Sequence, residues 1–278
     1  HRADLIDLLA EAVDRAGIPL HLDRQVVRVD SAVHFADGTT ETADLIVGAD
    51  GLHSHTRRAL NGADRPFFTG QVAWRAVVPT DRPLPPEARV VMGPGRHAVI
   101  YPLRGGSMAN LVAVREQTDW VADGWHQNDD PANLRKAFEE FRGPVRPLLD
   151  AVEQVGLWGL FRHPVAERWQ GDGVAILGDA AHPTLPFLAQ GANLALEDAW
   201  VLARCWDGTS ESLAAYQAAR LSRVRKVIAA ANRNAWKYHV RFGPARAIGH
   251  AGLRVAGALA PEAMLRQFDW VYGHDVTA

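Results

Sequence analysis

The chain has 278 residues, 47% hydrophobic and 22% charged, the composition of an ordinary globular protein with room for one large domain or two modest ones. Its 30 basic and 32 acidic side chains leave a net charge of −2, which argues against a dedicated nucleic-acid binder. The lone Cys205 excludes an internal disulfide and fits a reducing cytoplasm, and no apolar run reaches the roughly 18 residues of a membrane span or forms a signal peptide.

A helix is expected from about Ala3 to Ala16, where Leu5, Leu8, Leu9, Ala12 and Val13 recur at helical spacing and Gly17 with Pro19 stops it. Leu20 to Phe35 is strand-like, and Ala36 to Thr39 (ADGT) reads as a hairpin turn. A short buried strand then ends in Asp50-Gly51, and a helix follows from about Ser54 to Leu60. Between Arg65 and Trp169 strand-like runs are divided by proline and glycine, with one helix at about Pro131 to Phe141. This texture predicts an inserted antiparallel or mixed sheet. The remainder, about Glu211 to Ala278, is mostly helical. Arg220, Arg223, Arg225 and Lys226 read as a solvated helix face, with phosphate or partner binding as the other reading.

Gly173 to Arg204 carries the most chemistry: GVAILGDAAHPTLPFLAQGANLALEDAWVLAR. The wholly apolar VAIL suits a central parallel strand. Asp179 stands at its carboxyl end, where open α/β sheets bind ligands, and its carboxylate can accept hydrogen bonds from ligand hydroxyls. Ala180 and Ala181 leave room, and Pro183 and Pro186 stiffen the loop. Gly191, Ala192 and Asn193 then present backbone N–H groups at a helix start, which favours negative charge. Leu194, Val201, Leu202 and Cys205 give that helix a buried stripe, with Glu197 and Asp198 in its early turns. The plainer alternative is a strand, a capped turn and an amphipathic helix without a ligand.

This stretch resembles the second flavin motif of the single-component FAD-dependent aromatic hydroxylases, the p-hydroxybenzoate hydroxylase-like fold. The motif is met by Gly178, Asp179, Ala180, Ala181, His182, Pro186, Gly191, Asn193 and Asp198. Its form is most similar to the salicylate hydroxylase and 6-hydroxynicotinate 3-monooxygenase branch, with Ala189 where many relatives have glycine. The resemblance implies that Asp179 binds the ribityl chain and that the amides of Gly191 to Asn193 face the N1 and C2 carbonyl of the flavin. It gives His182 a structural role. Asp50, Gly51, Ser54 and Arg57 resemble the family's D-G-x-x-S-x-x-R motif, near the FAD pyrophosphate. Gly51 permits a tight turn and Ser54 can cap a helix. Arg2 resembles the arginine of an R-x-x-L helix that reaches the ribityl and phosphate region, and Val26 matches a position whose backbone meets adenine. FDWVYGHD, near the C-terminus, looks like the same branch's signature.

The implied fold is α/β (mixed α+β): an incomplete Rossmann-like FAD-binding domain with an inserted β-sheet substrate domain and C-terminal helices. The expected divisions are 1–64 and 170–208 for the FAD-binding parts, 65–169 for the substrate sheet and 209–278 for the helical region. The family's opening G-x-G-x-x-G is not found, and the chain starts at His1, so a longer parent protein is expected.

The family chemistry implies reduction of FAD by NADH or NADPH, addition of O2 to give a C4a-hydroperoxide, and attack on it by a phenolic or hydroxy-heteroaromatic ring. A base that removes the ring's hydroxyl proton helps. His97 and Tyr101 lie four apart on a strand and so share a face with Val99. In the resembling branch this pair lines the substrate pocket, which makes His97 the base or its relay and Tyr101 an orienting partner. The alternative is a rim histidine and a core tyrosine. His53 and His55 with Asp50 are too sparse for a metal site, and no metal is assigned. The expected partners are a small aromatic substrate and O2, with no nucleic acid, no membrane, and a homodimer compatible. Other readings are another oxidation on the same fold, such as epoxidation or halogenation, and a non-catalytic truncated remnant that binds without turnover.

Overall fold

The computed structural model describes residues 1–119 and 128–278. Helix α1 (Arg2–Arg15) leads to a small antiparallel sheet of β1 (Val26–Val29), β2 (Val33–Phe35) and β3 (Thr40–Glu41). The expected hairpin turn joins β2 to β3, with Val33 opposite Glu41 and His34 opposite Thr40. Residues 20–25, expected as strand, are irregular. Strand β4 (Ile46–Gly48) follows, and then helix α2 (His55–Asn61).

Strands β5 (Phe67–Pro79), β6 (Arg89–Gly93), β7 (Arg96–Leu103), β8 (Met108–Glu116), β9 (Asn128–Asp129) and β10 (Val155–Arg162) form the largest sheet. Among the described residues its order is β6-β7-β8-β5-β10-β9, and every pairing is antiparallel. Helices α3 (Pro131–Ala137) and α4 (Val145–Asp150) sit between β9 and β10; the helix expected to reach about Phe141 ends at Ala137, and α4 was not expected. Alternation along the strands gives the sheet two buried faces. Trp74, Val78, Ile100 and Leu111 point toward Leu134, Phe138 and Leu149 of the α3–α4 segment. Ala73, Val112 and Val114 point the other way, toward Leu185 and Phe187.

The chain then forms β11 (Gln170–Gly171) and β12 (Val174–Ile176). Strand β12 runs parallel to β4, with Ala175 opposite Val47, the pairing expected from its apolar composition, and antiparallel to β11 on its other edge. Helix α5 (Gly191–Cys205) and the long α6 (Ser210–Tyr238) cover this sheet through Leu194, Leu202, Leu213, Tyr216 and Val224. Helices α7 (Gly243–Leu259), α8 (Pro261–Arg266) and α9 (Asp269–Tyr272) complete the chain. Among the described residues no helix is long and apolar enough to cross a membrane. Helix α1 forms where its spacing placed it, yet Leu5, Ile6, Leu8 and Leu9 are all exposed.

Candidate active site

The loop from β12 to α5 places the acid and the amides. After Ile176 the chain tightens into a 3-10 turn at Gly178–Ala180, passes Pro183, and turns again at Pro186–Leu188. Gly178 has φ 58, and a Cβ there would stand 3.1 Å from that of Ala195, so only glycine lets the strand end lie this close to α5. Ala189 is left-handed (φ 52), which explains why glycine suits this position. Gln190 precedes α5 without a side-chain cap, and the first helical bond runs from Leu194 N–H to Gln190 C=O at 2.8 Å. The amides of Gly191, Ala192 and Asn193 therefore lack intrahelical acceptors. A recess of about 440 Å³ opens beside Gln190 and Asn193, walled by Trp200, Tyr272 and His274.

Asp179 presents its carboxylate at the surface of this loop, and no donor among the described residues bonds to it. The surrounding protein removes enough water to raise its carboxyl above the usual range, a rise opposed by the nearby His182 and Arg2. Two residues singled out from the sequence, Arg2 and Asp179, are thus brought into electrostatic reach of each other.

Beneath the loop lies an ion network that the sequence reading misplaced. Asp198, wholly buried, accepts from the Gly178 amide at 3.0 Å, His182 Nε2 at 2.5 Å and Arg220 Nε at 2.8 Å. Arg220, 2% exposed, also pairs with Glu197 at 2.6 Å, and Arg223 Nε reaches Glu197 at 2.7 Å. Burial alone would raise the Asp198 carboxyl, but the hydrogen bond and charge of His182, with help from Arg220 and the Gly178 amide, hold it below its ordinary value. The basic stretch of α6 is therefore not one solvated face. Arg220 and Arg223 turn inward against acids of α5, whereas Arg225 and Lys226 are exposed, the latter 4.2 Å from the centroid of the Trp270 ring. His182 stacks on Trp169 with centroids 5.1 Å apart.

The second motif is bonded to the first. Ser54 caps α2 by accepting from Arg57 N–H at 2.7 Å. Arg57, 3% exposed, donates to the carbonyls of Ala180 at 3.2 Å, Ala181 at 3.3 Å and Pro164 at 3.0 Å. Asp50 accepts from Ser54 Oγ at 2.5 Å and from the Thr56 amide at 3.1 Å, so its carboxylate braces the start of α2. Gly51 beside it has φ 73, the tight turn expected there. Val26 opens β1, half-buried against the core around β12.

Opposite the loop stands the face of the large sheet that carries His97, Val99 and Tyr101 on β7. His97 is fully buried. Its ring lies 5.2 Å from that of Phe187 and 5.1 Å from that of Tyr238, and Nδ1 is 2.6 Å from Nε2 of His239. Its Nε2 has no partner among the described residues. Burial, helped by His239, pushes the imidazole down to about 3. Tyr101 is half-buried, and burial raises its phenol while Arg75 opposes the rise. Asn110, paired across the strands with Tyr101, leaves Nδ2 unbonded, and Gln71 leaves Oε1 unbonded two residues from Ala73 on the same face. Buried polar atoms are nearly always satisfied, so these orphans, spread along one face of the sheet, mark positions that a ligand would complete. His239, Glu116 and Arg75 were not singled out from the sequence; only the fold brings them to His97 and Tyr101.

Comparison with known proteins bears on this geometry. The FAD binding domain family model matches residues 7–231. A 3-amino-4-hydroxybenzoate 2-monooxygenase from Streptomyces cremeus is 36% identical over 258 residues, covering 88% of this chain and 63% of that protein. A 6-hydroxynicotinate 3-monooxygenase from Bordetella bronchiseptica is 35% identical over 246 residues, covering 82% of this chain and 63% of that protein. The chain thus spans somewhat under two thirds of the length of these relatives. A salicylate hydroxylase substrate complex superposes with a TM-score of 0.81 at 26% identity, covering 99% of this chain and 73% of that one. Klebsiella pneumoniae HpxO complexed with FAD and uric acid superposes at 0.77 with 25% identity, covering 94% of this chain and 69% of that one.

Proposed function

Since the chain belongs to the FAD binding domain family, we propose that it acts as an aromatic monooxygenase that hydroxylates a phenolic or hydroxy-heteroaromatic ring with FAD, NAD(P)H and O2. The observation that carries this reading is a carboxylate, Asp179, with no donor among the described residues, on the same loop as the free amides of Gly191, Ala192 and Asn193, across from a sheet face with orphaned polar atoms. These residues fit FAD chemically. Asp179 would accept from ribityl hydroxyls, and the helix-start amides would face the edge of the ring where negative charge gathers on reduction. Pro186 holds the loop between them. Arg2, near Asp179, would meet the ribityl and phosphate region, the Val26 backbone the adenine, and the Asp50-Gly51 turn the pyrophosphate side. When bound and reduced by NAD(P)H, FAD supplies an oxygen atom from O2 in electrophilic form.

The chain's own residues then prepare the ring. His97 Nε2, neutral and unpartnered, takes the proton of the ring hydroxyl, which makes the ring a stronger nucleophile. Tyr101, whose raised phenol stays protonated, donates a hydrogen bond that orients the substrate. Phe187 and Val99 keep water away from the reacting atoms.

The test is NAD(P)H oxidation by the FAD-loaded protein in the presence of salicylate, 3-hydroxybenzoate, 6-hydroxynicotinate and 3-amino-4-hydroxybenzoate. At least one compound should stimulate oxidation and be converted to a hydroxylated product in step with it. Stimulation without any hydroxylated product, across the set, contradicts the reading.

A further inference from the structure

His97 is a weak base in a closed site, and the proton it accepts has nowhere to go unless the protein removes it. The structure supplies a route. His239, which follows α6, places Nε2 2.6 Å from His97 Nδ1 and its own Nδ1 3.1 Å from Glu116 Oε1, at the end of β8. His239 is 5% exposed, whereas Glu116 reaches the surface and pairs with Arg241, whose Nε lies 2.7 Å from Oε2. The line therefore runs from a buried imidazole nitrogen with no partner to a carboxylate in contact with water.

Its geometry also sets the tautomers. The Glu116 carboxylate, already accepting from Arg241 Nε, faces Nδ1 of His239, so that nitrogen is the one that donates and carries the proton. Nε2 of His239 is then a lone pair, and the 2.6 Å contact requires His97 Nδ1 to donate. The same logic leaves His97 Nε2 without a proton, which is the form a base needs. We propose that His239 and Glu116 form a proton relay that holds His97 in the basic tautomer and carries the substrate's proton to solvent. This rests on the reading that His97 deprotonates the ring hydroxyl.

The step balances. As the substrate O–H breaks, its proton bonds to His97 Nε2, the Nδ1 proton of His97 passes to His239 Nε2, and the Nδ1 proton of His239 passes to Glu116. The substrate is left as its oxyanion, both imidazoles are neutral, and the protonated Glu116 releases its proton to water. No imidazolium persists in the buried site, where charge is costly. The groups facing His239 are Glu116 from β8, Arg241 beyond α6, and His97 from β7, with the Tyr238 ring against His97. The alignment is fixed by backbone bonds from Gly95 N–H to His239 C=O at 3.3 Å and from Glu116 N–H to Gly95 C=O at 2.9 Å.

Histidine-ring ¹⁵N NMR on the FAD-loaded protein tests the relay without turnover, with His97→Gln and His239→Gln variants assigning the signals. At neutral pH both rings should be Nδ1-protonated, and Glu116→Gln should shift the His239 signals. An Nε2-protonated tautomer at either ring overturns the proposal. In turnover, His239→Gln and Glu116→Gln should slow hydroxylation about tenfold or more and alter its pH profile, with partial recovery in Glu116→Asp. Wild-type rate and pH profile in both variants would overturn the relay while leaving the monooxygenase reading intact. If the wild-type protein hydroxylates none of the compounds tested above, the function is wrong, and the tautomers alone decide whether the relay exists.

Discussion

His97 shows how a single buried side chain makes stability depend on pH. Its imidazole stands at about 3 in the fold against 6.5 when free. Between those values the unfolded chain binds a proton that the native state does not, so stability is fully present above pH 6.5 and falls as pH drops through the window. From pH 7 to pH 5 this one group should remove about 2 kcal/mol. His97→Gln should lose that much less over the same interval, as measured by urea unfolding at the two pH values. Equal losses in the two proteins would show that His97 protonates freely in the fold. The face of His97 could be read from strand alternation, since His97, Val99 and Tyr101 are two apart. Its partner could not, because His239 lies 142 residues away and only the docking of the end of α6 on the sheet brings them together.

Helices α5 and α6 show where periodicity misleads. The apolar stripe of α5 was legible in Leu194 and Leu202, but Glu197 and Asp198 share the buried side. A pattern of hydrophobic residues has no symbol for acids buried with matching cations, so Arg220 and Arg223 read as surface. Removing one partner of such a pair leaves an uncompensated buried charge, which costs on the order of 3 kcal/mol. Asp198→Asn should therefore lower the free energy of unfolding by roughly that amount, because Arg220, His182 and the Gly178 amide all lose a charged acceptor. Denaturant unfolding checks this, and a loss below about 1 kcal/mol would place the network among weak surface pairs. Turn chemistry, by contrast, was well marked: the residues between β2 and β3, the Gly51 turn and the Ser54 cap all lie where their residue types placed them.

The architecture is a clamp between two surfaces. The β12–α5 loop, held from below by Asp198 and from the side by Arg57, faces the large sheet through Leu185 and Phe187. The two flavin-like motifs were legible as separate strings. That the arginine of one donates to carbonyls of the other depends on α2 packing beside β12, which no local pattern announces. The exposed apolar face of α1 is a further feature that periodicity alone does not orient, since spacing defines a stripe but not what it meets. In this arrangement each part has its share of work. The loop carries Asp179 and the helix-start amides, the sheet carries His97 and Tyr101, and α6 carries Arg220, which binds Asp198 beneath the loop, and Tyr238, which packs on His97.

The account stands most directly on Asp179, and FAD titration of the wild-type protein and Asp179→Ala, followed by quenching of flavin fluorescence, tests it. Loss of a charge-assisted hydrogen bond worth about 1.5–3 kcal/mol should weaken binding by roughly ten- to a hundred-fold. The urea midpoint without FAD should not fall, since no described residue bonds to this carboxylate and its loss of water disfavours the charged form in the fold. A variant that binds FAD as tightly as the wild type, or a wild-type protein that binds none, would contradict it.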